Sequence, residues 1–184
     1  TVSILKKHLE HLKPDYAVVA FDVRAKTFRH KACDFYKATR KGMPDDLAAQ
    51  LPYAKKCLEY MGFNVIELEG YEADDLIGTA SKLGDCGEDI HSYVLTGDRD
   101  SLQLISDRTR VLLAATKMGH PDIINYTKEA LFEKYGLSPE EMIELKALMG
   151  DSSDNIPGVT GVGEKTATDL ITRYHSINYI YENL

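Results

Sequence analysis

Eight carboxylates in four short groups are the side chains of this sequence whose types and spacing could support chemistry. The groups are Asp22; Glu72, Asp74 and Asp75 in GYEADDL; Asp98 and Asp100 in TGDRDS; and Asp151 and Asp154 in GDSSDN. Divalent cations such as Mg²⁺ prefer oxygen ligands and are commonly held by a few carboxylates together with water and substrate phosphates. Two such ions about 3.5–4 Å apart can activate a water and stabilise both oxygens of an in-line displacement. The pattern therefore predicts a two-metal site.

The same eight acids account for the net charge of the chain. The sequence has 22 basic and 29 acidic residues, which gives a formal net charge of −7. Without the eight acids the other 21 would nearly balance the 22 basic residues, at a net charge of +1. Each group taken alone is explained as a helix cap or a solvated turn, because acids in the first turn of a helix interact favourably with its dipole. Four groups at element ends favour the metal site.

A basic segment with interleaved aromatic residues follows Asp22. Between Arg24 and Lys41 there are seven basic residues and one acid, Asp34. The basic residues are Arg24, Lys26, Arg29, Lys31, Lys37, Arg40 and Lys41, and the aromatic ones are Phe28, Phe35 and Tyr36. Cations pair with phosphates and aromatic rings stack on bases, so the segment suits a single nucleic-acid strand. A solvated basic surface remains an alternative explanation.

A glycine-rich turn, PGVTGVGEKTA (157–167), precedes a predicted helix from about Glu164 to Tyr174. Glycines let the backbone turn tightly and approach a partner, and a helix N-terminus offers free N–H groups to a phosphate. Lying between two helices, such a turn predicts a helix–hairpin–helix, which grips a duplex backbone without reading bases. An ordinary glycine-rich connection is the alternative, and the turn does not match a Walker loop. The candidate DNA contacts here are Gly158, Gly161, Gly163, Lys165 and Thr166.

The elements that must position these residues alternate along the first two thirds of the chain. Apolar strands are predicted at 16–22, 63–68, 92–98 and 110–116, with helices between them. This alternation predicts an α/β fold with a mainly parallel central sheet flanked by helices, and the reactive crevice of such sheets lies beyond the carboxyl ends of the strands. After about Tyr126 the pattern becomes helical. We therefore expect an α/β core at 1–126, including the basic segment at about 24–44, and a helical region at 127–184.

Composition excludes several other classes of protein. No apolar run approaches the roughly 20 residues that span a membrane, so no membrane partner is expected. The three cysteines are odd in number and lack the spacing of metal ligands, which indicates reduced thiols in a reducing compartment. The six histidines are scattered, so a zinc site is not expected.

In order and spacing, the motifs VVAFD, FRH, GYEADDL, TGDRD, GDSSDNIPGV and GVGEKTA resemble those of the 5′-nuclease family. This family comprises flap endonucleases and the 5′→3′ exonuclease domain of bacterial DNA polymerase I, and the resemblance to the latter covers essentially the whole chain. It implies a PIN-like 5′-nuclease fold with a C-terminal helix–hairpin–helix. It also implies hydrolysis of DNA at 5′ flaps or 5′ ends, in replication and repair, in the cytoplasm at the bacterial nucleoid.

The resemblance further implies residue roles. One Mg²⁺ would be held by Asp22, Glu72 and Asp74, with Asp75 and Asp98 near it, and the other by Asp98, Asp100, Asp151 and Asp154. Mn²⁺ can substitute for Mg²⁺ in such sites. The basic segment would be the helical arch, in which Arg29, Tyr36 and Lys37 position the scissile phosphate. The other arch contacts to DNA would come from Arg24, Lys26, Arg40 and Lys41. The glycine hairpin would hold the duplex, with a K⁺ ion bound to it.

One departure from the family concerns the first strand. In the family a strand ending in a metal-binding aspartate precedes the helix with which this sequence starts, so we expect that strand and one ligand to be missing. We accordingly expect a piece of a longer chain that carries a DNA polymerase. Two alternatives to a flap nuclease follow: a DNA-junction binding module without catalysis, and a ribonuclease of the related PIN-like group. The eight retained acids oppose the first alternative, and the hairpin opposes the second.

Overall fold

The computed structural model describes residues 2–87, 89–117 and 120–183. The first part of the chain alternates helices and strands: α1 (Val2–Leu12), β1 (Val18–Ala20), α2 (Phe28–Ala32), α3 (Asp45–Tyr60), β2 (Asn64–Ile66), α4 (Ala73–Cys86), β3 (Ser92–Thr96), a 3₁₀ helix (Arg99–Leu104), β4 (Thr109–Lys117) and β5 (His120–Tyr126). The second part is mainly helical: α5 (Lys128–Tyr135), α6 (Pro139–Met149), β6 (Gly150–Asp151), β7 (Ile156–Pro157), α7 (Glu164–Tyr174) and α8 (Ile177–Glu182). None of the described helices is long and apolar enough to span a membrane.

The described strands form two parallel pairs and two antiparallel pairs, the last of which is β6 with β7. β1 pairs with β2 and β3 with β4, both in parallel register, while β4 and β5 form an antiparallel hairpin. The predicted α/β class with parallel strands and flanking helices is confirmed. Strand β5 was not predicted, since its sequence contains Pro121 and Asp122, residue types that are depleted in strands. Its backbone nevertheless pairs with β4 over seven residues. The strand therefore results from hydrogen bonding to β4, which the local sequence does not predict.

Two hydrophobic clusters hold these elements together. The first buries Val94, Val111 and Leu113 of the β3–β4 pair against Leu102 of the 3₁₀ helix and Leu131 of α5. This cluster fixes the carboxyl end of β3 and the turn that carries Asp98.

The second cluster lies between the helices of the C-terminal part. It packs Leu145 and Leu148 of α6 against Ala167 and Ile171 of α7. The two helices on either side of the glycine turn are therefore packed face to face.

The start of α6 shows the local signals that the sequence predicts. The Ser138 Oγ accepts the Glu141 N–H at 3.2 Å, and a Glu141 carboxylate oxygen accepts the Ser138 N–H at 2.8 Å. Pro139 follows the cap, and Gly150 ends the helix with φ +73°. This capping box fixes the direction in which α6 leads into the acidic turn at Asp151.

Asp85, near the end of α4, joins that helix to the loop before β4. One of its oxygens accepts hydrogen bonds from Ser106 Oγ at 2.7 Å and from Thr109 Oγ1 at 2.9 Å. Thr109 is fully buried. Burial by itself would raise the pKa of Asp85, but the two hydroxyl hydrogen bonds outweigh it and hold that pKa below its ordinary value.

We expect Asp85→Ala to lower the free energy of unfolding by about 1–2 kcal/mol, because the buried Thr109 hydroxyl loses its acceptor. Asp85→Asn keeps an acceptor oxygen and should cost less. Since the folded pKa is depressed, the stabilisation by the carboxylate is complete above its unfolded pKa, near 3.9, and is lost as pH falls through the folded pKa. Urea unfolding between pH 7 and pH 3 measures both effects. Equal stability of the Ala and Asn variants at pH 7 would contradict this role.

Candidate metal centre and nucleic-acid interface

Asp22 and Asp98 follow the carboxyl ends of β1 and β3. Asp22 Oδ1 accepts the N–H of Ala73, the first residue of α4, at 2.7 Å. Asp98 Oδ1 accepts the Asp100 N–H at 2.9 Å and so caps the 3₁₀ helix. Each carboxylate thus has an oxygen tied to the backbone at the start of a helix, α4 for Asp22 and the 3₁₀ helix for Asp98. This arrangement holds the acids at the ends of their strands.

Asp74, in the first turn of α4, lies close enough to both of these acids to be affected by their charges. Although Asp74 stays accessible to solvent, partial desolvation of its carboxylate raises its pKa, and the negative charges of Asp98 and Asp22 raise that pKa further. In the part of the chain that the structure describes, none of these three carboxylates forms an ion pair. Lys37 lowers the pKa of Asp74 through its charge without contacting it, but it does not outweigh the repulsion from the acids, and a bound divalent cation would relieve that repulsion.

The other five acids are paired with basic side chains. Arg29 donates two hydrogen bonds to Asp75, at 2.8 and 2.7 Å. The remaining acids contact three basic residues: Lys37 pairs with Glu72 at 2.9 Å, Arg40 pairs with Asp154, and the Lys146 Nζ bridges Asp100 at 2.7 Å and Asp151 at 2.6 Å. Hydrogen bonds from these partners lower the pKa of two of these acids. The Arg29 guanidinium lowers the pKa of Asp75, and Lys146 and Ser153 outweigh burial to lower the pKa of Asp151.

Tyr36 lies between two of the acidic groups. Its side chain is buried, and its hydroxyl donates to Glu72 Oε2 at 2.9 Å and lies 3.3 Å from Asp154 Oδ2. Burial and the adjacent Glu72 raise the pKa of the phenol, so Tyr36 remains a neutral donor at physiological pH. The structure thus brings Arg29, Tyr36 and Lys37 onto the acids, although they lie far from them in sequence.

The acids form an oxygen donor set of the kind that hard divalent cations take. Within residues 2–87, 89–117 and 120–183, however, no three acidic, histidine or cysteine side chains form a group that could hold a metal ion as they stand. Members of both predicted ligand sets form ion pairs with basic side chains instead. Lys37 pairs with both Glu72 and Asp154, and Arg29 pairs with Asp75. The residue types fit a divalent cation. In this structure, however, five of the eight carboxylates are paired with lysine or arginine side chains.

Two residues of this site were missed by the sequence analysis. Lys146 lies on α6, five residues before Asp151. Its position close to an acidic turn was the only feature of the sequence that could have indicated a role in the site. The Asn155 Nδ2 donates to the Phe35 carbonyl at 2.7 Å, and Asn155 itself has φ +56°. Asparagine tolerates this left-handed conformation better than most residues. Nothing local to the sequence predicts its partner, which is 120 residues away.

The predicted arch is helical only in part. Its helix, α2, has five residues, and turns follow from Asp34 to Thr39. The side chains of Arg24, Lys26 and Lys41 are exposed, and no ion pair involves them within the described ranges. They remain available for a partner, and their predicted contact with DNA stays a prediction.

The glycine turn divides into a packed part and an open part. A Cβ on Gly158 would lie closer than 3.0 Å to backbone atoms of Met149 and Gly150, so Gly158 serves close backbone packing. No atom lies within 4 Å of a Cβ placed on Gly161 or Gly163. Lys165 and Thr166 are exposed in the first turn of α7. The open glycines and this helix N-terminus present backbone N–H groups to solvent, as a phosphate contact requires.

Comparison with known proteins places this geometry in a family. A family model described as the N-terminal resolvase-like domain of 5′-3′ exonuclease matches residues 1–136, and one described as its C-terminal SAM fold matches residues 137–184. DNA polymerase I of Caldicellulosiruptor bescii is 45% identical over 184 residues, which is 100% of this chain and 21% of the relative. The 5′-3′ exonuclease of Bacillus subtilis is 44% identical over 182 residues, 97% of this chain and 60% of the relative.

A solved structure of T5 5′-exonuclease with bound divalent zinc ions has the same fold. It superposes with a TM-score of 0.79 at 25% sequence identity, and the match covers 100% of this chain and 69% of that one. The chain spans about a fifth of the length of the DNA polymerase I relatives. Since the two family models together match residues 1–184, the resemblance inferred from the motifs is confirmed: the chain belongs to the 5′-3′ exonuclease family.

Proposed function

We propose that this chain is a Mg²⁺-dependent, structure-specific 5′ nuclease that hydrolyses DNA phosphodiesters at 5′ flaps and 5′ ends. The observation that carries the proposal is that Asp22 and Asp98, which follow β1 and β3, repel Asp74 in the first turn of α4, beside a basic and aromatic segment. Membership of the 5′-3′ exonuclease family supports the reaction, and the zinc ions bound to T5 5′-exonuclease support dependence on a divalent metal.

We infer that the eight carboxylates would hold two Mg²⁺ ions, for which Mn²⁺ can substitute. When bound, these ions supply Lewis acidity at the scissile phosphate and make a water more acidic. The protein's own side chains would position the scissile phosphate and neutralise its charge. Arg29 and Lys37 offer cations to the phosphate, and the neutral hydroxyl of Tyr36 can only donate a hydrogen bond to it. Arg40 and the exposed Arg24, Lys26 and Lys41 would contact the single strand.

The duplex part of the substrate would lie on the glycine turn. We infer that Gly161, Gly163, Lys165 and Thr166 contact its phosphates, because the turn is open there and α7 begins there. Carbonyls freed by the turn could also hold a K⁺ ion. Gly158 was predicted to contact DNA. Its close packing against the backbone already explains why this position requires a glycine, without a contact to DNA. As relatives of this chain include DNA polymerase I, we infer that the whole protein also carries a polymerase.

Cleavage of a 5′-flap DNA in Mg²⁺, beside an EDTA control, tests the function. We expect incision near the base of the flap in Mg²⁺ and none in EDTA. A second candidate, junction binding without catalysis, is favoured by the pairing of five acids with basic residues. It would be supported by salt-sensitive binding to the same flap without cleavage at any Mg²⁺ concentration, and that outcome would overturn the nuclease proposal for this chain.

We expect Lys165→Ala to weaken binding to duplex DNA uniformly across sequences and to reduce the slope of log K against log salt by about 1, because one phosphate contact is lost. Fluorescence anisotropy at several salt concentrations measures the slope. Lys134→Ala, at an exposed lysine in the last turn of α5, is the matched control and should leave the slope unchanged. An unchanged slope in Lys165→Ala would remove this residue from the contact surface.

A further inference from the structure

The basic segment is fastened to the acidic turn by backbone contacts as well as by charge. The Lys37 N–H donates to the Asp154 carbonyl at 2.8 Å, and the Arg40 Nε donates to the Ser153 carbonyl at 3.2 Å. From the other side, the Asn155 Nδ2 donates to the Phe35 carbonyl at 2.7 Å. These three hydrogen bonds join two stretches of chain that are more than 110 residues apart. The segment is therefore held against the turn at three successive points.

The charges that meet at this contact belong to residues of the proposed metal site. Glu72 Oε2 accepts hydrogen bonds from both Tyr36 and Lys37, and Asp154 accepts from Arg40. The side chains of Lys37, Glu72 and Asp154 are only 17%, 11% and 15% exposed, so solvent and salt screen the charge of Lys37 on these two acids weakly. Two of the predicted metal ligands are thus neutralised by cations of the protein itself.

We propose that residues 27–41 form a latch whose lysine and arginine side chains act as internal counter-ions, and that the latch and a divalent cation exclude one another at Glu72 and Asp154. The inference rests on the proposed metal site and adds a coupling to it. An oxygen that accepts hydrogen bonds from Tyr36 and Lys37 can ligate a cation only if those donors move away. A cation at these acids therefore favours an undocked latch, and by linkage an undocked latch binds the cation more tightly.

The coupling fixes an order of events at the site. Cation binding releases Lys37 and Arg40 from carboxylates, and the same two side chains are then free to pair with phosphates of an entering strand. Without the cation the latch covers the acids, and its cations are already neutralised. The docked segment would thus bind a single strand weakly until a divalent cation is present, and the cation would promote strand binding before any bond is cleaved.

Asn155 allows the latch to be tested without changing a charge. Removing Lys37 or Arg40 would strengthen cation binding simply because a nearby positive charge is lost, whether or not a latch exists. Within the part of the chain that the structure describes, the Asn155 side chain hydrogen-bonds only to the Phe35 carbonyl, so its loss weakens docking and leaves every charge in place. Asn155→Ala and Asn155→Gly both remove the amide, and glycine also tolerates the φ of +56° at this position.

The experiment measures Ca²⁺ binding by titration calorimetry and amide hydrogen exchange at Lys37, with and without Ca²⁺. In the wild type we expect Ca²⁺ to accelerate exchange of the Lys37 N–H, which donates to Asp154 in the latched state. In both Asn155 variants we expect exchange at Lys37 without Ca²⁺ to be about fivefold faster and Ca²⁺ affinity to be up to about fivefold higher, the ratio that follows from losing one hydrogen bond of the docked state. The control is Asn183→Ala, which removes an equivalent amide-to-carbonyl bond, to Tyr179, at the end of α8, and it should match the wild type.

The outcomes separate this inference from the proposed function. Ca²⁺ binding without faster exchange at Lys37, or with slower exchange, would overturn the latch and leave the metal site intact. Unchanged Ca²⁺ affinity in both Asn155 variants would also overturn it. A wild-type chain that binds neither Ca²⁺ nor Mg²⁺ and cleaves no flap would instead overturn the metal site on which the latch depends. If the Asn155 variants do not fold, the exchange measurement on the wild type still decides.

Discussion

Replacing Asp98 by asparagine is expected to reduce flap cleavage in Mg²⁺ by at least about 100-fold, the scale reached when groups that hold a catalytic metal are altered. Asp98 follows β3, raises the pKa of Asp74 through its charge and has no ion-pair partner within the described ranges, so its charge is available to a cation. Asparagine keeps a side-chain oxygen that can accept the Asp100 N–H, so the cap of the 3₁₀ helix survives. The loss should therefore appear in cleavage and metal binding, with the melting temperature unchanged.

Single-turnover cleavage of a 5′-flap DNA, with junction binding measured in parallel, tests this expectation. Asp122→Asn is the matched control, since Asp122 is also an exposed carboxylate that accepts a backbone N–H, at Ile123 in β5. The control should cleave at the wild-type rate, and Asp98→Asn should still bind the junction. Wild-type cleavage by Asp98→Asn would place the metal centre elsewhere. Lost cleavage together with a lowered melting temperature would mean that the residue has a structural role.

Gly158→Ala is expected to lower the free energy of unfolding by about 3 kcal/mol, at the upper end of what overpacking a close contact usually costs. A Cβ at this position would lie closer than 3.0 Å to backbone atoms of Met149 and Gly150, which cannot swing aside as a flexible side chain would. The Val159 N–H donates to the Leu148 carbonyl at 2.8 Å, so the turn is fixed to the end of α6 beside the added methyl group. The hairpin and the acidic turn at Asp151 would both be displaced.

Gly163→Ala provides the comparison within the same turn. No atom lies within 4 Å of a Cβ at Gly163, so stability should stay within about 0.5 kcal/mol of the wild type. If the start of α7 contacts a phosphate, the methyl group would weaken duplex binding by about fivefold through the loss of one hydrogen bond. Thermal unfolding and duplex titrations on both variants measure the two effects. A stable Gly158→Ala variant would refute the packing role, and full duplex affinity in Gly163→Ala would remove this position from the interface.

Much of the fold could be predicted because its signals are local. The bounds of α6 follow from Ser138, Pro139 and Gly150, whose cap and stop chemistry acts within a few residues. The alternation of apolar strands with helices was enough for the α/β class, which the structure confirms. Strand β5 could not be predicted, since its pairing with β4 rather than its own composition makes it a strand.

The types of residue at the candidate site were also determined by the sequence. Eight carboxylates at element ends, a basic segment with aromatic residues and a glycine turn before a helix are all visible without coordinates. They indicate divalent cations, a single strand and a duplex because each partner requires a particular chemistry, and that chemistry belongs to residue types.

Only the tertiary structure decided which of these charges meet. The Tyr36 hydroxyl approaches Asp154, which is 118 residues away in sequence, and Arg29 binds Asp75, which is 46 residues away. Lys146 bridges Asp100 and Asp151 from α6, a helix for which the sequence predicted no role in the site. No local pattern specifies such contacts, because they depend on how α4, α6 and the basic segment pack around the strand ends. For the same reason the sequence alone could not distinguish acids that repel one another, such as Asp74 and Asp98, from acids already neutralised by the protein's own lysines and arginines.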